Sequence, residues 1–104
     1  LPGFAMMRWA LERGTAIPHW GEPAGLELLA RDTATAVESA PVHALAALVR
    51  QVVERLAQDA GSPALVLTGS AAGRLEPALG LEFEPMENLV IEALALLAGQ
   101  SESR

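Results

Sequence analysis

Chemistry in this chain has few places to sit. The foremost is Pro63-Ala64-Leu65-Val66-Leu67-Thr68-Gly69-Ser70-Ala71-Ala72-Gly73-Arg74-Leu75. The apolar run Ala64–Leu67 reads as a short buried strand, which ends at Thr68-Gly69-Ser70 before a helical pattern resumes. A strand that turns through glycine into a helix presents backbone N–H groups at the helix start, where a phosphate or a nucleotide edge can be held. Gly69 has no Cβ and lets a ligand approach the main chain. Most such turns only reverse the chain, so the motif alone is a weak signal. The second place is Asp32-Thr33-Ala34-Thr35. Either Asp32 or Thr33 can cap a helix there, and a threonine hydroxyl can also donate to or accept from a ligand.

Other chemistries are excluded by residue type. The chain has no cysteine, so no disulfide or thiol chemistry. His19 and His43 have no metal-ligand spacing and read as surface or cap residues. The seven basic residues are all arginine, so no P-loop lysine exists, and against 13 acidic residues they leave a net charge of −6. That balance argues against nucleic acid and anionic membranes as partners. The longest apolar stretch, Leu89–Ala98, is interrupted by Glu92 and too short to span a bilayer. A cytoplasmic location is the default expectation.

The elements that must position these residues follow from periodicity. With 104 residues, 51% of them hydrophobic, one domain is expected. Phe4–Arg13 reads as a helix with Met7, Ala10, Leu11 and Gly14 on its inner face and Gly14 at its C-cap. Residues 15–31 read as a loop with a helical turn at Leu26–Ala30, and a connection this long is often functional. A helix opens at Asp32-Thr33, with capping-box spacing from Thr35 to Glu38. Pro41 is expected to break it, kink it or start a new one. Leu45, Leu48, Val49, Val52 and Leu56 then form one apolar stripe, ended by Gly61 and Pro63. After strand Ala64–Leu67 come a helix Ala71–Leu79, a half-exposed strand Leu81–Glu84, a turn starting at Pro85, and a helix Glu87–Ala98. That last helix is apolar nearly all round, which predicts burial on several sides or cover over a sheet and a partner subunit. Residues 101–104 read as a tail. Two short strands do not make a stable sheet alone. With the Leu1-Pro2-Gly3-Phe4 start, which has no initiator Met, this reads as a piece of a longer chain.

The ordered series of short motifs is more specific than any one of them. It runs Leu1-Pro2-Gly3-Phe4, Leu11, Thr15-Ala16-Ile17-Pro18, Asp32-Thr33-Ala34-Thr35-Ala36-Val37, Leu65-Val66-Leu67-Thr68-Gly69 and Asn88-Leu89-Val90-Ile91-Glu92-Ala93-Leu94. It resembles the C-terminal half of the type III pantothenate kinases, a family that includes proteins labelled Bvg accessory factors. The resemblance covers nearly the whole chain.

The resemblance implies an α/β fold: the C-terminal ribonuclease H-like half of an acetate and sugar kinase/Hsp70/actin-type fold, incomplete alone. It implies phosphorylation of pantothenate by ATP in coenzyme A biosynthesis, by a homodimer that uses a divalent metal such as magnesium and a monovalent cation such as potassium. The family's phosphate loop, catalytic aspartate and Gly-Asp-Arg motif belong to an N-terminal half outside these 104 residues. No catalytic or metal-binding residue is therefore assigned here, and the chain alone is expected to be inactive. By the same resemblance Thr33 would contact pantothenate near the dimer interface, and Thr68, Gly69 and Ser70 would lie beside the nucleotide. Pro2-Gly3 would match a turn after a central strand. Ser70 stands where the family usually has a second glycine, and Ala40-Pro41 replaces a usual glycine. The alternative reading is a non-catalytic regulatory module acting through protein contacts.

Overall fold

The computed structural model describes residues 2–15 and 21–102. Leu1, the Ala16-Ile17-Pro18 segment, His19 and the final two residues lie outside the described residues. The elements are α1 (Phe4–Gly14), α2 (Thr33–Ala60), β1 (Val66–Leu67), α3 (Ala72–Leu79), β2 (Glu84–Pro85) and α4 (Leu89–Glu102). The result is a helix-rich α/β arrangement with one two-stranded parallel sheet.

Helix α1 runs through Gly14, and Thr15 caps it in place of the expected glycine. The Thr15 N–H and hydroxyl both donate to the Leu11 carbonyl, at 3.1 and 2.7 Å. Its buried residue is Phe4, not the expected inner face; Ala10 and Leu11 are exposed and Met7 is half-buried. Helix α1 lies against α2, with Arg8 reaching Glu38, and Phe4 lies under the Arg74 guanidinium of α3.

Helix α2 is a single 28-residue helix with Pro41 inside it, so the proline neither breaks it nor starts a new helix; it is about 42 Å long at the usual rise. An interior proline removes one backbone hydrogen bond and costs about 3 kcal/mol. Buried Ser39 and Val42 flank Pro41 and hold the chain helical on both sides of it. Gly61 ends the helix at a φ of 81°. The expected stripe of α2 divides: Leu45 and Val49 pack into the core, whereas Leu48, Val52 and Leu56 stay exposed.

The segment before α2 is tied down by side chains of α2 itself. The Thr35 hydroxyl oxygen accepts from Ala24 N–H at 3.0 Å. Ser39 Oγ donates to the Gly25 carbonyl at 3.2 Å and accepts from Glu27 N–H at 3.0 Å. Both side chains are buried, and their hydrogen bonds remove the cost of placing them there. The helical turn expected at Leu26–Ala30 is only a turn at Leu28–Leu29.

Strands β1 and β2 pair in register Val66↔Glu84 and Leu67↔Pro85, with α3 as the connection between them. Both are shorter than expected, and Pro85 lies in β2 instead of a turn. The ladder explains the tolerance: Glu84 and Met86 donate to the Leu65 and Leu67 carbonyls at 2.8 and 2.9 Å. The proline position between them has no donor to supply toward β1.

The core is the seam of α2 and α3. Ala46, Leu75 and Leu79 are buried, with Leu45, Val49, Leu65, Leu67, Ala78, Leu81 and Phe83 packed around them. Helix α4 starts and ends later than expected, and its residues Val90–Gln100 are exposed in this chain, so it is not buried on several sides here; the other expectation for it is cover over a sheet and a partner subunit.

Candidate functional site

The glycine turn opens on a cleft of about 670 Å³. One wall is the chain from Leu67 through Thr68, Gly69 and Ser70 into Ala72, Gly73 and Glu76. The other is Phe83 with residues Pro85–Asn88, Val90 and Ile91. The turn and β2 are thus brought together by the β1–β2 pairing. Gly69 has a φ of 97°, a backbone conformation that side-chain-bearing residues rarely adopt, while the space beside it is open. Conformation, and not crowding, requires glycine there. Ser70 is not among the described residues with positive φ, so a side chain is accommodated without backbone strain. No side chain caps α3 at Ala71, so a molecule entering the cleft meets main chain at the start of that helix.

The opposite wall contains Asn88, with a φ of 59°. Asparagine tolerates this left-handed conformation better than most residues, and the Asn88 carbonyl accepts from Glu92 N–H at 2.9 Å to start α4. The lining, among the described residues, has two carboxylates, Glu76 and Glu87, and no cationic side chain. Such a cleft repels a bare phosphate. Its hydroxyls, amide and apolar surfaces from Leu67, Phe83 and Ile91 suit an uncharged ring or sugar.

Ser70 also borders a second cleft, of about 770 Å³, formed with Ala71, Arg74 and the first two turns of α1, including Phe4, Met6 and Trp9. Sequence reasoning missed the residues that join these elements. Glu38 of α2 accepts from Arg74 of α3 at 2.7 Å and from Arg8 of α1 at 3.3 Å. The Arg74 guanidinium also lies over the Phe4 ring, 4.8 Å from its centre. At the far end of α3, Arg50 donates to the Ala78 and Leu79 carbonyls at 2.7 and 3.1 Å. Nearly 30 residues or more separate the members of each pair, so no local spacing shows them. Glu38 pairs with arginines and takes no part in the expected capping box.

Thr33 is the exposed first residue of α2 and lines neither cleft. The structure therefore does not bring it into one cavity with Thr68–Ser70. Capping falls to Asp32: one carboxylate oxygen accepts from Thr35 N–H at 2.9 Å and the other from the Thr35 hydroxyl at 2.9 Å. The backbone hydrogen bond first, and the hydroxyl second, hold the Asp32 carboxyl below its ordinary value. The Thr33 side chain is left exposed at the helix start. His43 is neither a cap nor a surface residue; it sits half-buried inside α2 with Nε2 buried and without a hydrogen-bond partner.

A parallel strand–glycine turn–helix unit that opens on a cleft is an arrangement common among phosphate- and nucleotide-binding α/β proteins. Relatives of this chain narrow the class. It is 35% identical over 102 residues to the type III pantothenate kinase of Paracidovorax citrulli, a match over 96% of this chain and 39% of that protein. It is 40% identical over 104 residues to that of Alkalilimnicola ehrlichii, over 96% of this chain and 41% of that protein. With that of Thiobacillus denitrificans it shares 38% over 101 residues, 94% of this chain and 40% of the relative. The chain is homologous, along nearly its whole length, to part of the type III pantothenate kinases. It spans about two-fifths of the length of these curated relatives. No protein-family model and no solved structure matches it.

Proposed function

We propose that this chain is the C-terminal region of a type III pantothenate kinase, contributing a nucleotide edge and a substrate contact to an enzyme that phosphorylates pantothenate with ATP toward coenzyme A. The homology over 94–96% of the chain to proteins of that name carries the reading. The cleft supports it. Its apolar wall and uncharged polar groups suit the base and sugar of ATP, and Gly69 lets them approach the main chain. The phosphates, with their charge, belong beyond its acidic rim. Thr33 is the proposed pantothenate contact, its hydroxyl exposed because Asp32 does the capping.

In this reading the fold is half of an acetate and sugar kinase/Hsp70/actin-type fold, completed by an N-terminal half and paired as a cytoplasmic homodimer. Among the described residues no cluster of three or more histidine or acidic side chains could hold a metal. The magnesium and potassium that the family resemblance implies belong to the full-length protein in this reading, and no step is routed through them. No described helix is long and apolar enough to cross a membrane. Phosphoryl transfer relies on positioning and charge stabilisation. This chain supplies positioning, and no general base is assigned in it. A regulatory module is the less favoured reading, since the relatives are named as kinases.

The test is a coupled ATP assay on the full-length protein with and without pantothenate. Pantothenate-dependent turnover, abolished when residues 1–104 are assayed alone, is the expected result. Full-length protein that folds, binds neither ligand and turns over nothing would refute the reading.

A further inference from the structure

We propose that Glu38 is a positioning residue that ties the Thr68–Ser70 turn to the first turns of α2, where Thr33 lies. Its two carboxylate oxygens serve two different helices: Oε1 accepts from Arg74 Nη2 at 2.7 Å and Oε2 from Arg8 Nη1 at 3.3 Å. Arg74 comes four residues after Ser70, in the first turn of α3. Glu38 comes five residues after Thr33, about 7.5 Å along the helix axis. One side chain thus links the segment that borders the cleft to the segment that presents the threonine.

Arg74 is misplaced by local electrostatics. The N-terminal turn of a helix carries partial positive charge and favours acidic residues. An arginine there, with no side chain capping the helix, needs a compensating anion from elsewhere, and Glu38 supplies it. An isolated exposed ion pair would contribute little. This one differs in three ways. The carboxylate is the shielded member, 27% exposed against 46% and 47% for the arginines. It is shared by two guanidiniums, and the shorter bond is in the charge-assisted range. The Arg74 guanidinium is further fixed over the ring of buried Phe4. The other end of α3 is held independently by Arg50 and by Leu79 in the core. Glu38 therefore governs the end of α3 that carries the turn, and not the helix as a whole.

The test uses the full-length protein with Glu38→Ala, Arg74→Ala and the double substitution, followed by hydrogen exchange at residues 68–74 and 42–49. Each single substitution is expected to speed exchange at 68–74 by about fivefold, the double no further, with 42–49 unchanged. Unchanged exchange at 68–74, additive single effects, or equal loosening of 42–49 would overturn the proposal. The kinetic consequence rests on the kinase reading. The KM for ATP should rise about fivefold in each single variant and no more in the double, with kcat within about twofold. Glu38→Gln, which keeps one acceptor oxygen, should fall between. A wild-type protein without pantothenate-dependent turnover would refute the kinase reading and leave the exchange experiment to decide on Glu38.

Discussion

Helices α3 and α4 are the instructive pair. Helix α4 is the more apolar, with Leu89, Val90, Ile91, Leu94, Leu96 and Leu97 in one short run, yet Leu96 is 71% exposed and every residue from Val90 to Gln100 is open to solvent. Helix α3 contains Gly73, Arg74, Glu76 and Pro77, yet Leu79 is fully buried and Leu75 nearly so. Apolar composition sets how much burial would stabilise a helix. A complementary surface within reach decides whether it is buried. Helix α3 has α2 beside it, β1 and β2 at its ends, Arg50 on its last carbonyls and Glu38 on its first turn. Helix α4 has its N-terminal turn at the cleft rim and is exposed from Val90 to Gln100.

The largest test of this contrast is truncation in each helix. Leu79→Ala should destabilise by about 3 kcal/mol in urea unfolding, through lost burial plus a cavity. Leu96→Ala in the same 104 residues should stay within about 0.5 kcal/mol. If the Leu96 truncation in the full-length protein instead costs about 2 kcal/mol or more, another surface covers α4 there.

A smaller loss is expected at the ties between α2 and the segment before it. Ser39→Ala leaves the Glu27 N–H and the Gly25 carbonyl without their partner, a cost of about 1–3 kcal/mol for groups removed from water. Faster exchange at Glu27 with α4 unaffected would place the effect in this region. An unchanged midpoint would show that water replaces the hydroxyl.

At the turn, Gly69→Ala should cost about 1–2 kcal/mol from backbone conformation, since its φ is 97° and no atom crowds the new Cβ. Ser70→Gly should leave stability nearly unchanged because Ser70 is exposed and is not in a positive-φ conformation. Equal effects at the two positions would break the distinction between conformation and space.

The smallest effect concerns Asp32. Its carboxyl is held below its ordinary value of 3.8 by the Thr35 bonds, so the folded state binds this proton less readily than the unfolded state. The stabilisation is present above pH 3.8 and is lost as pH falls through the lowered folded value. Asp32→Asn keeps a capping oxygen and should flatten that part of the acid limb in a pH series of thermal melts. An unaltered acid limb would show that Asp32 does not contribute to it.

Much of this protein was legible in the chain because it rests on local rules. Glycine and proline punctuation placed the helices, the start of α2 was read as capped by either Asp32 or Thr33, and the strand–Gly69–helix turn was visible from period and glycine alone. The ordered motifs pointed to the kinase family before any relative was compared. What depended on distant neighbours was misread. Pro41 was expected to break α2, kink it or start a new helix; the helix is continuous through it, with Ser39 and Val42 buried on either side. Pro85 was assigned to a turn because the donor pattern of a ladder is unknown until its partner strand is in place. Phe4 was missed as the buried residue of α1, since Arg74, which lies over its ring, comes from the distant helix α3.

By itself, then, the sequence determined the element types, the absence of lysine and cysteine chemistry, the glycine needed at position 69 and the family it resembles. These follow from backbone sterics, residue chemistry and spacing within a few turns. Tertiary structure alone decided which apolar faces are buried, that Glu38 gathers Arg8 and Arg74 from separate helices, that Asn88 and Met86 face the glycine turn across a cleft, and that Thr33 lies outside that cleft. Each of those depends on bringing together residues about 20 to 40 positions apart. Their placement is set by the packing of α3 between α2 and the two strands, which no local pattern encodes.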